Sequence, residues 1–410
     1  ILVALIAATP LALPYSLFQP RLTAHLAQRF GSKVEIGAIG FSYLPTPAFS
    51  LKQVMINSPE AARIGSIEIP LSLHNVLFFG KELRGIRARD VMLSRHFAVS
   101  LPERMVQQTG MVKLGDLQLE NLHLKMEPGE AGPFSGTLEF SPDGRISQLT
   151  VPSQDGKLTL KIQPAEPGAF DVQFAARNWP LPFAWPVEFD YINLTGKATG
   201  EALQISDIHA GLYKGVVTGN ATLQWGRHWK LDGRIQAKNL QAAPLVTLFS
   251  PILHISGILD GEGHFAYEAD DYTRLFSRPA LQGRFTARDG LLHNIDLITP
   301  MKSQTSETVH HGGQTRFDTL SGALSLQNDT LSLRQLQLDT GKFRASGELM
   351  IRDGRILGEA VSTLNAGLLT VTSHFRLDGR PDAPELHSGG AWRSQTDSAV
   401  APEQIRKLED

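Results

Sequence analysis

The chain contains no cysteine. That one absence removes disulfide frameworks, thiolate zinc sites, iron–sulfur ligation and a cysteine nucleophile together, and a thiol-free chain suits an oxidising compartment. Net charge is nearly absent too, with 39 Lys+Arg against 41 Asp+Glu for a formal −2. Without clustered cations to displace counterions from phosphates, nucleic acid is excluded as a partner. Also missing are a Gly-x-Ser-x-Gly elbow, a phosphate-binding loop and a His-Glu-x-x-His pair. What the chain does have is a 42% hydrophobic share over 410 residues, which is too much for disorder and calls for a large apolar interior.

The first 20 residues carry no charge, and Ile1 to Ala8 is continuously apolar. A spanning helix needs about 20 apolar residues, and Pro10 and Pro14 would end or kink one. A transmembrane anchor closing at 1–18 would therefore draw on residues upstream of Ile1, and the small residues Ala7, Ala8 and Ala12 keep a cleaved signal peptide open as the alternative. Either reading sends the remaining chain out of the cytoplasm. Pro20 to Phe30 follows as a short amphipathic helix, with Leu22, Leu26 and Phe30 at four-residue spacing and Gly31 as its stop. Its narrow stripe suits a cap on the first strands better than a membrane-surface role.

From Gly31 onward the dominant signal is period two, which puts alternate side chains on one face of a strand. Ser66 to Leu73, Leu158 to Ile162 and Phe170 to Phe174 show it, and the C-terminal third shows it best. There Leu324/Leu326, Leu331/Leu333, Leu336/Leu338 and Leu349/Ile351 are separated by Asn328-Asp329, Asp339-Thr340-Gly341 and Gly347. Turn residues at Pro142-Asp143-Gly144, Arg288-Asp289-Gly290 and Arg352-Asp353-Gly354 predict antiparallel hairpins. A loose repeat ends in Gly196, Gly257, Gly283, Gly322, Gly347 and Gly379, at spacing too irregular for a solenoid; such glycines mark bulges or bends. Helices are expected only at Pro20 to Phe30, Pro102 to Gln108, Ala242 to Phe249 and Pro402 to Leu408. So few helices cannot cover the apolar faces of so many strands. The sheet must close on itself as sandwiches or barrels, or curl into an open trough filled by a ligand with long hydrocarbon chains.

Candidate chemistry fails on context. Gly261-Glu262-Gly263-His264-Phe265-Ala266 matches a dinucleotide fingerprint in letters, but the residues after it continue a strand into a turn instead of opening a helix. Asp260, Glu262, Glu268, Asp270 and Asp271 lack the regular spacing of a calcium loop. His310 and His311 are adjacent, so a strand would point them to opposite sides, and they read as part of a polar loop from Lys302 to Gln314. No catalytic residue, cofactor or metal is expected.

The run Gly31 to Leu51, following an apolar segment and a short helix, resembles the start of the AsmA family of bacterial envelope proteins. The similarity continues through Ile67 to Leu73, the corner Leu77-Phe78-Phe79-Gly80, and Leu83 to Leu93. It returns at Phe317 to Gly322, the paired strands to Leu338, and Ala345-Ser346-Gly347. The resemblance implies an inner-membrane anchor, a periplasmic body and a curled sheet similar to bridge-like lipid-transfer proteins, moving phospholipid towards the outer membrane. About 20 strands at ~4.8 Å would run on the order of 100 Å at most, so one chain need not bridge two membranes alone.

The expected fold is thus mainly β: an elongated, curled, mostly antiparallel sheet forming a groove, with an N-terminal transmembrane segment and few short helices. The expected regions are the anchor at 1–18, an N-terminal AsmA-like part at 19–100, a middle β region at 101–240, a C-terminal AsmA-like part at 241–387 and a polar tail at 388–410. Leu324, Leu326, Leu331, Leu333, Leu336, Leu338, Leu349 and Ile351 are the groove candidates, each equally readable as ordinary core. The expected partners are phospholipids and the inner membrane. The rival reading is a periplasmic scaffold that assists assembly of outer-membrane proteins through its strand edges.

Overall fold

The computed structural model describes residues 19–44, 46–56, 62–78, 81–105, 112–126, 129–180, 187–248, 254–302, 308–310, 312–366, 369–380 and 383–392. The expected anchor at 1–18 and the expected helix at Pro402 to Leu408 lie outside them. Among the described residues, no helix is long and apolar enough to cross a membrane.

The strands are β1 (Val34–Ser42), β2 (Ala48–Ile56), β3 (Ala62–Pro70), β4 (Glu82–Leu83), β5 (Ile86–Ser94), β6 (Lys113–Leu114), β7 (Asp116–Lys125) and β8 (Glu130–Phe140). Next come β9 (Ile146–Pro152), β10 (Leu158–Pro164), β11 (Phe170–Pro180), β12 (Glu188–Ala198), β13 (Ala202–Leu212), β14 (Gly215–Gln224), β15 (Trp229–Gln241) and β16 (His254–Ala269). The series ends with β17 (Ala280–His293), β18 (Thr308–His310), β19 (Gln314–Gln327), β20 (Thr330–Asp339), β21 (Phe343–Arg352), β22 (Arg355–Ala366), β23 (Leu369–Arg380) and β24 (Ala383–Trp392). The α-helices are α1 (Gln19–Phe30), α2 (Leu73–Leu77), α3 (Arg95–Arg104) and α4 (Ala242–Thr247). Of the described residues 69% are strand and 12% helix, and one long, mostly antiparallel sheet takes 22 strands without closing into a barrel. β4 and β6 form a separate parallel pair, and β5 with β7 is a parallel step within the large sheet.

Two compact units divide the chain, Ile1–Leu240 with Glu262–Gln282, and Gln241–Gly261 with Gly283–Asp410. In the first, a coordinated change of phase runs across five strands. Val34 and Ile36 share a face with Ile39 and Phe41 although their parity differs, because the chain spends one additional residue at Gly37 or Ala38. The same step occurs in β2 at Gln53, in β3 at Gly65, in β5 at Asp90 and in β7 at Asn121. Gln53, Asp90 and Asn121 sit at φ 53°, 54° and 56°, the left-handed conformation that a bulge residue takes. Registry places Asp90 beside Asn121, whose Nδ2 donates to its Oδ1 at 2.7 Å. Gly65 has no Cβ because one would strike that of Asp90. A crease thus crosses the sheet while the pairing stays in register, and apolar residues remain on one side of it.

That side is covered at the first strands. Leu22, Leu26, Ala27 and Phe30 of α1 pack with Val34, Ile36, Leu51, Val54 and Ile56, joined by Phe97 and Leu101 of α3. The other face is polar, with Arg89 of β5 paired to Glu68 at 2.7 Å and Glu120 at 2.8 Å.

In the second unit, β19 to β24 form a meander whose apolar face holds Phe317, Leu320, Leu338, Phe343, Ile356, Phe375, Leu377 and Leu386. The connection after β17 folds over it, contributing Ile295, Leu297, Ile298 and Met301, with Leu292 from the end of β17 beside them. Buried Thr315 fastens this cover: its Oγ1 accepts from the Leu297 N–H at 2.9 Å and donates to the Ile295 carbonyl at 2.8 Å. Phe317 and Ile356 are fully buried, which marks this as ordinary core.

Several expectations need correcting. Arg288-Asp289-Gly290 is no hairpin turn but lies inside β17, where Asp289 at φ 51° serves a bulge as readily as a turn. The strand from Ser66 stops at Pro70, and Leu73 begins α2 instead of ending the alternation. The helix expected at Pro102 to Gln108 starts earlier, at Arg95, because Ser94 Oγ caps it by accepting from the Phe97 N–H. Ala242 begins a helix as expected, and it closes at Thr247. His310 belongs to β18, paired with Leu386, and not to a loop, whereas His311 lies outside the described residues. β24 runs on to Trp392, into the segment read as a polar tail.

Candidate functional site

The site is built by registry. In β9 to β15 every second residue is apolar or small, and the pairing aligns these residues into rows that cross the strands. One row reads Val151, Leu160, Phe174, Leu194, Ile208, Gly219 and Ile235. The next reads Leu149, Ile162, Val172, Gly196, Ile205, Ala221 and Gly233. Lys161, Gln163, Asp171, Gln173, Asn193, Thr195 and Lys197 alternate with them on the other, exposed face. Gly196 stands at a register shift between β12 and β13, where an added Cβ would run into the Gln204 carbonyl oxygen.

The large members of these rows, Leu160, Ile162, Phe174, Leu194, Ile205 and Ile208, are half-buried and not sealed. Among the described residues α1 lies on β1, and α3 on β5 and β7, and Val99 of α3 also comes within van der Waals range of the turn glycines Gly168 and Gly200 beside β10 to β13. Seven strands at ~4.8 Å give each row about 29 Å, close to the ~30 Å hydrocarbon thickness of a bilayer and so about two acyl-chain lengths end to end.

One margin of this surface is closed by aromatic packing. Met126, beyond β7, packs with Trp229 at the start of β15, and Leu124, Ala131, Leu223, Trp225, Leu231, Tyr267, Tyr272, Leu275 and Phe276 complete the cluster. A flat sheet would hold β7 and β15 about 38 Å apart. Their contact therefore requires the sheet to curl between them, which brings the end of one to the start of the other. Trp225 donates its indole N–H to the Gly200 carbonyl at 2.7 Å, and Trp229 meets Tyr272 at 5.7 Å between ring centroids. Burial pushes the Tyr267 phenol up to about 12.

The eight residues singled out from the sequence all lie on the apolar face of β19 to β21, in the second unit. Registry pairs Leu324 with Leu333, Leu326 with Leu331, Leu333 with Leu349 and Leu331 with Ile351. A register shift between Leu333 and Leu336, with Gln335 at φ 53°, keeps Leu331, Leu333, Leu336 and Leu338 on one side. Leu326, Leu331 and Leu338 are buried, and Leu338, Leu349 and Ile351 join the cluster under the Leu297–Met301 cover. Leu324, Leu333 and Leu336 are half-buried. The rows of β9 to β14 were visible in the sequence as alternation at Leu158 to Ile162 and Phe170 to Phe174.

Gly261 to Ala266 lies within β16. The neighbouring carboxylates go separate ways: Asp260 pairs with Arg288 at 2.6 Å, Asp270 with His228 at 2.8 Å, and Asp271 caps a 3-10 turn at Thr273. Among the described residues no group of His, Asp and Glu could hold a metal ion.

Comparison of the chain with family models, curated proteins and solved structures returned no match.

Proposed function

We propose that this protein is a membrane-anchored carrier whose sheet forms a groove for phospholipid acyl chains, held at the inner membrane with its body in the periplasm. It passes lipid between inner and outer membranes by non-covalent means. One observation carries the reading: in two aligned apolar rows of β9 to β15 the large residues Leu160, Ile162, Phe174, Leu194, Ile205 and Ile208 stay half-buried. Water against such a surface is unfavourable by about 25 cal/mol per Å² of apolar area, and a hydrocarbon chain removes it. The rows run across the strands, so a chain lying along them meets side chains of one kind throughout. Polar heads would stay in water beside the rim. The likeness to AsmA proteins at Gly31 to Leu51 and Phe317 to Gly322 supports the same reading.

The test is photo-crosslinking in bacterial cells, with a benzophenone amino acid placed at Leu194 or at its outward neighbour Thr195. Phospholipid adducts at 194 and none at 195 are expected. Adducts to proteins at both positions, without lipid, would sink the carrier reading and favour the scaffold for outer-membrane proteins.

A further inference from the structure

Helix α2 is built inside out. Its polar residue Asn75 is only 2% exposed, whereas Leu73 and Leu77 are 76% and 69% exposed, with Val76 and Phe78 also open to solvent. The inversion is fastened. Asn75 Nδ2 donates to the carbonyls of Pro70 at 2.7 Å and Arg84 at 2.9 Å, its Oδ1 accepts from the Arg84 N–H at 2.9 Å, and Ser72 caps the helix by accepting from the Asn75 N–H. A polar residue held by that many bonds leaves the leucines nowhere to turn but outward. The β1–β2 connection adds Leu44, 83% exposed, and it is tied to this corner by the Leu71 N–H on the Pro47 carbonyl at 2.8 Å.

Cations ring the apolar tip. Exposed Lys81 follows the helix, its backbone carbonyl accepts from the N–H of exposed Lys113, and exposed Arg84 pairs with Glu82 at 2.7 Å, while Asp116 accepts from the Gly85 N–H. An exposed apolar group of this size marks an interaction site. A protruding tip with a basic collar fits a soft, anionic surface, since aliphatic side chains enter the hydrocarbon boundary while lysines meet phosphates. The uncharged segment 1–18, which leads into the same unit, favours a bilayer as the neighbour.

We propose that α2, with Leu44, is a second membrane contact: a docking tip that seats this corner of the protein in the headgroup layer of a phospholipid bilayer. It deepens the carrier reading by adding a place where lipid-bearing sheet and membrane meet, and it stands or falls separately.

The absence of cysteine makes the test direct. The full chain carries a polarity-sensitive dye on a single introduced thiol, Leu77→Cys or Asp155→Cys, the latter on the exposed turn at the far end of β9 from the Lys113 corner. Both are reconstituted in phosphatidylcholine–phosphatidylglycerol vesicles whose acyl chains are brominated. The expected result is a blue shift and several-fold quenching at position 77, neither at position 155, and weaker quenching after Lys81→Glu with Lys113→Glu. A dye at 77 that is unquenched, or already shielded without vesicles by another protein surface, overturns the proposal. Phospholipid that crosslinks at 194 beside an unquenched dye at 77 would sink the tip alone. Quenching at 77 without lipid at 194 would sink the groove alone.

Discussion

The two units treat the same kind of surface in opposite ways. β19 to β24 carry their apolar residues under a cover that the chain itself supplies, Ile295 to Met301 latched by Thr315. β9 to β14 carry Leu160, Phe174, Leu194 and Ile208 in equally regular rows, and these stay half-buried. Strand pattern alone therefore does not decide whether a face becomes core or contact surface. The deciding element is a short segment elsewhere in the chain that can fold back.

Charge on each face should separate them most sharply. Leu338→Glu puts an unpaired carboxylate beneath the cover, a burial costly enough that the second unit should lose its cooperative fold. Leu194→Glu should leave the first unit folded by near-ultraviolet dichroism and protease resistance, while removing its lipid adducts. If both variants unfold, the rows of β9 to β14 are core and the comparison collapses. Truncation comes next: Phe317→Ala should cost about 3–5 kcal/mol in chemical denaturation, and Phe174→Ala less, about 2 kcal/mol, because its ring is only partly buried.

Unlatching the cover is a smaller change. Thr315→Val leaves the Leu297 N–H and the Ile295 carbonyl without their partner, a loss of about 1–3 kcal/mol. Amide exchange should accelerate from Ile295 to Met301 and stay unchanged in β9 to β14. Smallest of all, and confined to alkaline solution, is the effect of Tyr267. Burial favours its neutral phenol and raises the folded value from 10.0 to about 12. The stabilisation is intact below pH 10 and disappears as pH rises through 12, so tyrosinate absorbance should show one delayed phenol that Tyr267→Phe abolishes.

Much of the fold was legible because alternation is a local signal. Phe170 to Phe174 is strand in the sequence and strand in the molecule, and the glycines at 196 and 322 do sit at register shifts. Two-residue turns at Asn328-Asp329 and Asp353-Gly354 close hairpins as their chemistry implies. Arg288-Asp289-Gly290 shows the limit, since a left-handed Asp before Gly suits a turn and a bulge alike. Helix α2 was hidden for another reason. Leu71-Ser72-Leu73 continues a period of two, and only the Ser72 cap and the buried Asn75 betray the helix. For the site, the sequence marks which residues share a face but carries no mark of what folds over it.

The crease across β1, β2, β3, β5 and β7 has a genetic consequence. Each strand carries its own supernumerary residue, and all five keep step only because every one of them has it. Deleting Gln53 by itself would turn half of β2 inside out, sending Leu51 or Val54 into water, and the same holds for Asp90 in β5. Substitutions can accumulate along these strands one at a time, but their lengths cannot drift independently. The five segments are bound to a common reading phase, so a viable change of length there must occur in all of them or in none.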